Sequence, residues 1–150
     1  MIDLRAFFNG RDEAFGDELT EDIRRNAAET VAKANELLKR AGFEHVCSVN
    51  SGWRPQRVNA ATVNASATSH HVTGRAIDLP DPDRSLAAWC VANLEVLAGI
   101  GLWLEDPRWT FDAGGDHWVH LQTVPPRSGR RVFVPSDTPA GDPDFPVTRA

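Results

Sequence analysis

Apolar residues at 23, 27, 31, 34, 38 and 41 recur at steps of three and four, with charges between them. This period predicts an amphipathic helix over 20–41. Thr20 is placed to cap its start, where Glu21 and Asp22 suit the positive helix end. Lys39 and Arg40 suit the other end, and Gly42 follows as a stop. A second helix is expected from a cap at Asp83 or Ser85 to about Ala98, with Leu86, Trp89, Cys90, Asn93, Leu94 and Leu97 as its spine and Gly99 and Gly101 ending it. Short strands are expected at 45–50, around Ile77-Asp78-Leu79 before Pro80-Asp81-Pro82, over 117–123, and at 132–134. The polar stretch 55–68 reads as a loop. Six of the ten prolines fall after residue 124, so 125–150 reads as an extended C-terminal segment of one 150-residue domain. Helices mixed with short, separated strands give an α+β class: a small antiparallel sheet packed with helices.

Composition narrows the function. A chain of 150 residues at 41% hydrophobic can build a core, and 25% charged residues is ordinary for a soluble protein. Sixteen Lys and Arg against 21 Asp and Glu leave net charge −5, which argues against a nucleic-acid partner. No apolar run approaches the ~20 residues of a membrane span, and the first ten residues lack the layout of a secretory signal. Synthesis in the cytoplasm and a monomer are expected. Cys47 and Cys90 have no Cys-x-x-Cys spacing, so they read as buried thiols rather than a disulfide framework or a cysteine zinc ribbon.

The five histidines change the picture, because four lie in two short segments, Ser69-His70-His71-Val72-Thr73-Gly74-Arg75-Ala76-Ile77-Asp78 and Asp116-His117-Trp118-Val119-His120. A histidine and an aspartate joined by a glycine-containing turn into a strand can converge on one metal, and a histidine from another strand completes three ligands. Two imidazoles and a carboxylate leave the fourth tetrahedral position of zinc open, as catalysis requires. Spacing alone does not choose between His70 and His71, and the bland reading of these residues is a set of strand-edge side chains.

Ser69-x-His71-x-x-Gly74-x-Ala76-x-Asp78 resembles, position by position, the signature of the D-alanyl-D-alanine carboxypeptidase family of zinc peptidases, which includes phage L-alanyl-D-glutamate endopeptidases. Ser51-Gly52-Trp53-Arg54 resembles the family's Ser-Gly-aromatic-Arg segment, and Trp118-Val119-His120 its aromatic-x-His segment. The three motifs keep the family order over residues 51–120. The resemblance implies a hedgehog/DD-peptidase-like fold with Zn²⁺ held by His71, Asp78 and His120. It gives Ser69 the task of holding the ligand loop and Arg54 contact with the substrate's carboxylate or carbonyl; Trp53 and Trp118 could wall the cleft. Trp89 and Trp103 are expected in the core. The implied substrate is the peptidoglycan stem peptide.

The general base departs from the family pattern. Many relatives carry Glu or Asp three residues before the last histidine, where this chain has His117; Asp116 lies one residue further back. On a regular strand Asp116, Trp118, His120 and Gln122 share one face and His117, Val119 and Leu121 the other. Asp116 is therefore the first choice of base and His117 the second, with the opposite order if the chain bends before Trp118. Glu105-Asp106 reads as a solvated loop pair, or as a rim or secondary ion contact. Arg127, Arg130 and Arg131 read as a solvated turn, or as contacts to an anionic wall polymer. The rival function is a metal-binding or virion structural module that keeps the fold without hydrolysis. A wall enzyme without a signal segment would be a released phage lysin, a virion component or a recycling enzyme.

Overall fold

The computed structural model describes residues 1–63 and 65–135. The long amphipathic pattern forms helix α3 (Glu21–Ala41), capped by Thr20, whose hydroxyl accepts from the Ile23 N–H at 3.2 Å, and closed by Gly42 in the left-handed region. Its apolar stripe, including Ala27, Val31, Ala34 and Leu38, is buried against the sheet and the other helices. Two short helices precede it, α1 (Leu4–Phe8) and α2 (Arg11–Ala14). Phe7 and Phe8 of α1 are core residues whose N-terminal position gave no periodic signal.

Four strands form one sheet in the order β1-β3-β2-β4. They are β1 (Ala76–Pro80), β2 (Trp103–Glu105), β3 (Trp118–Gln122) and β4 (Val132–Phe133). β3 is antiparallel to both neighbours, but β4 runs parallel to β2. The sheet is therefore mixed rather than wholly antiparallel, within the expected α+β class. Ile77, Leu79, Leu104, Val119, Leu121 and Val132 point to one side and are buried in the core. That leaves Asp78, Glu105, Trp118, His120, Gln122 and Phe133 on the other side by strand alternation.

Several elements differ from the sequence pattern. Residues 45–50 form no strand: the Asn50 and Ser51 N–H groups both turn to the one carbonyl of Asp78, and only Ser51 makes a bridge. The polar stretch after Pro55 holds helix α4 (Gln56–Ala61). The helix expected over 85–98 is two, α5 (Ser85–Ala92) and α6 (Leu94–Ile100). Asn93 separates them, because its side-chain amide donates to the Trp89 carbonyl at 2.8 Å and competes with the helical ladder. Asp83 does accept from the Ser85 N–H, while buried Asp81 takes the N–H groups of Leu86 and Ala87. Trp53 is fully buried, edge-on to Phe8, rather than walling the cleft, and Trp103 is only half-buried, whereas half-buried Trp89 packs against the core as expected. Cys90 is buried as expected but Cys47 is exposed. The C-terminal segment contributes β4; its remainder, 136–150, lies outside the described residues. Among the described residues no helix is long and apolar enough to cross a membrane.

Candidate metal centre

Asp78 and His120 face each other across the β1–β3 ladder, so pairing itself brings a carboxylate to an imidazole. His120 Nδ1 lies 2.8 Å from Asp78 Oδ1, and His71 Nε2 lies 3.2 Å from Asp78 Oδ2. One donor atom from each of the three residues falls within 4.8 Å of the other two. The two imidazoles stand edge to face, 5.2 Å between centroids. His70, the neighbour, is outside this group.

His71 arrives from a turn rather than a strand, and two glycines make that possible. Gly74 has φ 75°, and a Cβ there would come within 3.1 Å of the Ile23 carbonyl of α3. Thr30 of α3 donates its hydroxyl to the Gly74 carbonyl at 2.8 Å, fixing the turn to the helix. A Cβ on Gly52 would lie 2.2 Å from the Phe7 carbonyl, so α1 can pack here only against glycine. The Gly52 carbonyl in turn accepts from His71 Nδ1 at 2.8 Å. Ser69 Oγ accepts from the His71 backbone N–H at 3.3 Å.

Both imidazoles are set by the partner of their other nitrogen. With Nδ1–H given to Gly52, His71 presents Nε2 to Asp78. The Gln122 amide donates to the Val124 carbonyl at 2.8 Å, which leaves its Oε1 facing His120 Nε2 at 3.1 Å. His120 therefore carries a proton on Nε2 and presents Nδ1. Two nitrogens and a carboxylate oxygen, each held by a neighbour that orients it, are the donor set of a three-ligand divalent site. The residues fit a zinc ion, and the group can hold a metal.

The charges agree with the geometry. Burial works against ionised Asp78, but His71 and His120 outweigh it and hold the carboxyl well below its usual range. Burial also opposes a charged His120, yet the Asp78 hydrogen bond and charge lift it to about 9. Fully buried His71 is pushed down by desolvation.

Arg54 reaches the same place from the Ser51–Arg54 segment, which docks on the outer side of β1. Its backbone N–H donates to the His71 carbonyl at 3.0 Å, and its charge interacts with Asp78. Burial lowers its pKa, and its Nε is buried with no hydrogen-bond partner among the described residues. Trp53, by contrast, anchors the segment in the core, donating its indole N–H to the Val72 carbonyl at 3.0 Å.

The two residues expected as base stand elsewhere. β3 begins only at Trp118, so strand alternation does not extend to Asp116, which is exposed on a turn closed by Asp112. His117 is turned to Arg84, which donates to its Nε2 at 3.1 and 3.0 Å. Trp118 is half-buried at the start of β3. Glu105 is instead the carboxylate brought to the group. The β2–β3 register pairs Leu104 with Leu121, so Glu105 falls opposite His120. It is half-buried, and burial, then the charges of Asp78 and Asp106, raise its pKa against the pull of His120. A three-residue strand is too short to show alternation, but Leu102 and Leu104, both buried, with Trp103 and Glu105 between and after them carried the signal.

With this geometry stands a match of residues 14–102 to the family model described as Peptidase M15. The chain belongs to the M15 peptidase family. The matched stretch, more than half of the chain, contains Arg54, His71 and Asp78. It thus supports a metallopeptidase acting on a peptide substrate. Comparison with curated proteins and with solved structures gives no match.

Proposed function

We propose that this M15 peptidase is a zinc enzyme that hydrolyses peptide bonds in peptidoglycan stem peptides, as a DD-carboxypeptidase or an endopeptidase. One arrangement carries the reading: Asp78, His120 and Glu105 lie in a row across three strands, with Arg54 at the Asp78 end, its buried Nε without a hydrogen-bond partner among the described residues. His71, Asp78 and His120 would hold the metal. Bound zinc would supply Lewis acidity there, polarising a peptide carbonyl and acidifying water. Glu105, whose pKa burial shifts upward, accepts the proton of the attacking water and passes it to the leaving amine. It takes the base role in place of Asp116 or His117. Arg54 remains charged despite burial and can grip a substrate carboxylate through two parallel hydrogen bonds, so an anionic peptide end settles beside the metal.

The test couples metal analysis with digestion of purified peptidoglycan. One zinc per chain, together with released D-alanine or stem-peptide fragments that a chelator abolishes, is expected. Stoichiometric zinc without any released product would leave a metal-binding module in its place.

A further inference from the structure

The site face of the sheet continues past the metal group. Extending the pairing registers by one residue gives two neighbouring rows on this face: Asp78, His120, Glu105 and Phe133, then Ala76, Gln122, Trp103 and Arg131. Phe133 closes the first row, its ring edge-on to His120 at 6.1 Å. In the second row the Arg131 guanidinium lies over the Trp103 ring, 4.4 Å from its centroid. Its Nη1 donates to the Leu102 carbonyl at 2.8 Å. The planar group is thus held by one hydrogen bond and one aromatic face, and among the described residues it has no carboxylate partner. Among the described residues its other N–H groups make no hydrogen bond.

Position gives this arginine its meaning. Arg54 stands beyond the β1 edge, whereas Arg131 lies over β2 on the far side of His120. Strand spacing puts the second guanidinium on the order of 10 Å from the metal group, which about three residues of extended peptide would span. An arginine already stacked and tethered loses little freedom when it binds, and its fork matches a carboxylate. Arg127 and Arg130, exposed on the turn before it, have no such platform among the described residues.

We infer that Arg131 on Trp103 is a second carboxylate-binding position of the cleft, so that the substrate is an acidic peptide with a carboxylate on each side of the scissile bond. This rests on the peptidase reading above and adds which peptides the site selects.

Two non-hydrolysable phosphinate analogues of a Lys-D-Ala-D-Ala peptide test it, one starting with D-glutamate and the other with D-glutamine. Their binding to the zinc-loaded protein is measured by calorimetry. The acid should bind about five- to ten-fold more tightly than the amide, the range for a partly screened charge-assisted pair. That preference should shrink with added salt. It should vanish in Arg131→Gln and survive only in part in Arg131→Lys, which keeps the charge without the flat stack. Melting curves of both variants check that the fold is intact. Equal binding of the two analogues by the wild type, or an undiminished preference in Arg131→Gln, overturns the second position and leaves the peptidase reading standing. Binding of neither analogue overturns the second position together with the DD-carboxypeptidase form of the peptidase reading.

Discussion

The two faces of the same four strands share a backbone and differ in every other respect. One face presents Ile77, Leu79, Leu104, Val119, Leu121 and Val132 to the core, all nearly or fully buried. The other presents Asp78, Glu105, His120 and Gln122, each tied by a specific hydrogen bond or charge. Apolar packing asks only for shape and volume, so the first face tolerates many sequences. The second depends on atoms meeting at hydrogen-bond distance, and a shift of one residue in the register of β1 or β3 would send its ligand, Asp78 or His120, into the core. The apolar face therefore aims the polar one: Leu121 opposite Ile77 and Leu104 is what places His120 opposite Asp78 and Glu105.

Breaking the polar face at its centre should have the largest effect. Asp78→Ala or His71→Ala is expected to abolish metal retention, read by elemental analysis after desalting; normal metal content in both would end the ligand assignment. Glu105→Gln should leave metal content unchanged and lower turnover on stem peptides by roughly 10²- to 10⁴-fold. The same loss in Asp116→Asn, with Glu105→Gln active, would move the base to the exposed turn.

How far each face was legible follows from the size of its signals. The helix over 21–41 was readable because six turns of periodic apolar residues, a threonine cap and a glycine stop agree. His71, Asp78 and His120 were readable as a set because their motifs are dense. Glu105 was not, because its role comes from a cross-strand register, and a strand of three residues carries too few positions to reveal one. Asp116 was favoured by carrying strand alternation two residues beyond the strand. The parallel pairing of β4 was hidden for the same reason, since two residues fix no direction. The glycine against Phe7 and the glutamine behind His120 are tertiary contacts that leave no periodic trace.

Breaking the apolar face should separate stability from chemistry. Leu121→Ala removes a fully buried side chain and should cost about 2–5 kcal/mol in denaturant unfolding. Metal affinity at low temperature should persist in the folded fraction; its outright loss would show that the two faces are not separable. Gln122→Leu is the converse on the polar face. It keeps the volume but removes the acceptor for His120 Nε2, so metal affinity should fall about 10- to 100-fold. Gln122→Glu, which still offers an acceptor, should restore most of it, and equal affinities in all three proteins would make Gln122 merely a packed side chain.

The smallest effect is a pH slope carried by the polar face alone. In the metal-free protein His120 is lifted to about 9, above its unfolded value of ~6.5. A raised folded pKa contributes stability that is fully present below ~6.5 and is lost as pH rises through about 9. His71 is shifted the other way, so its slope has the opposite sign and is confined to pH near and below its unfolded value of ~6.5. Asp78, depressed, loses its contribution only in acid, as pH falls through its folded value. The melting temperature of chelated protein should therefore decline from pH 6.5 to pH 9. Metal binding requires the lone pair on His120 Nδ1 and displaces its proton, so the loaded protein should show no such decline, and metal affinity should rise over the same range. The gap between the two melting curves then widens with pH. Parallel curves would mean that the His120 proton does not compete with the metal, and that Nδ1 is not the donor.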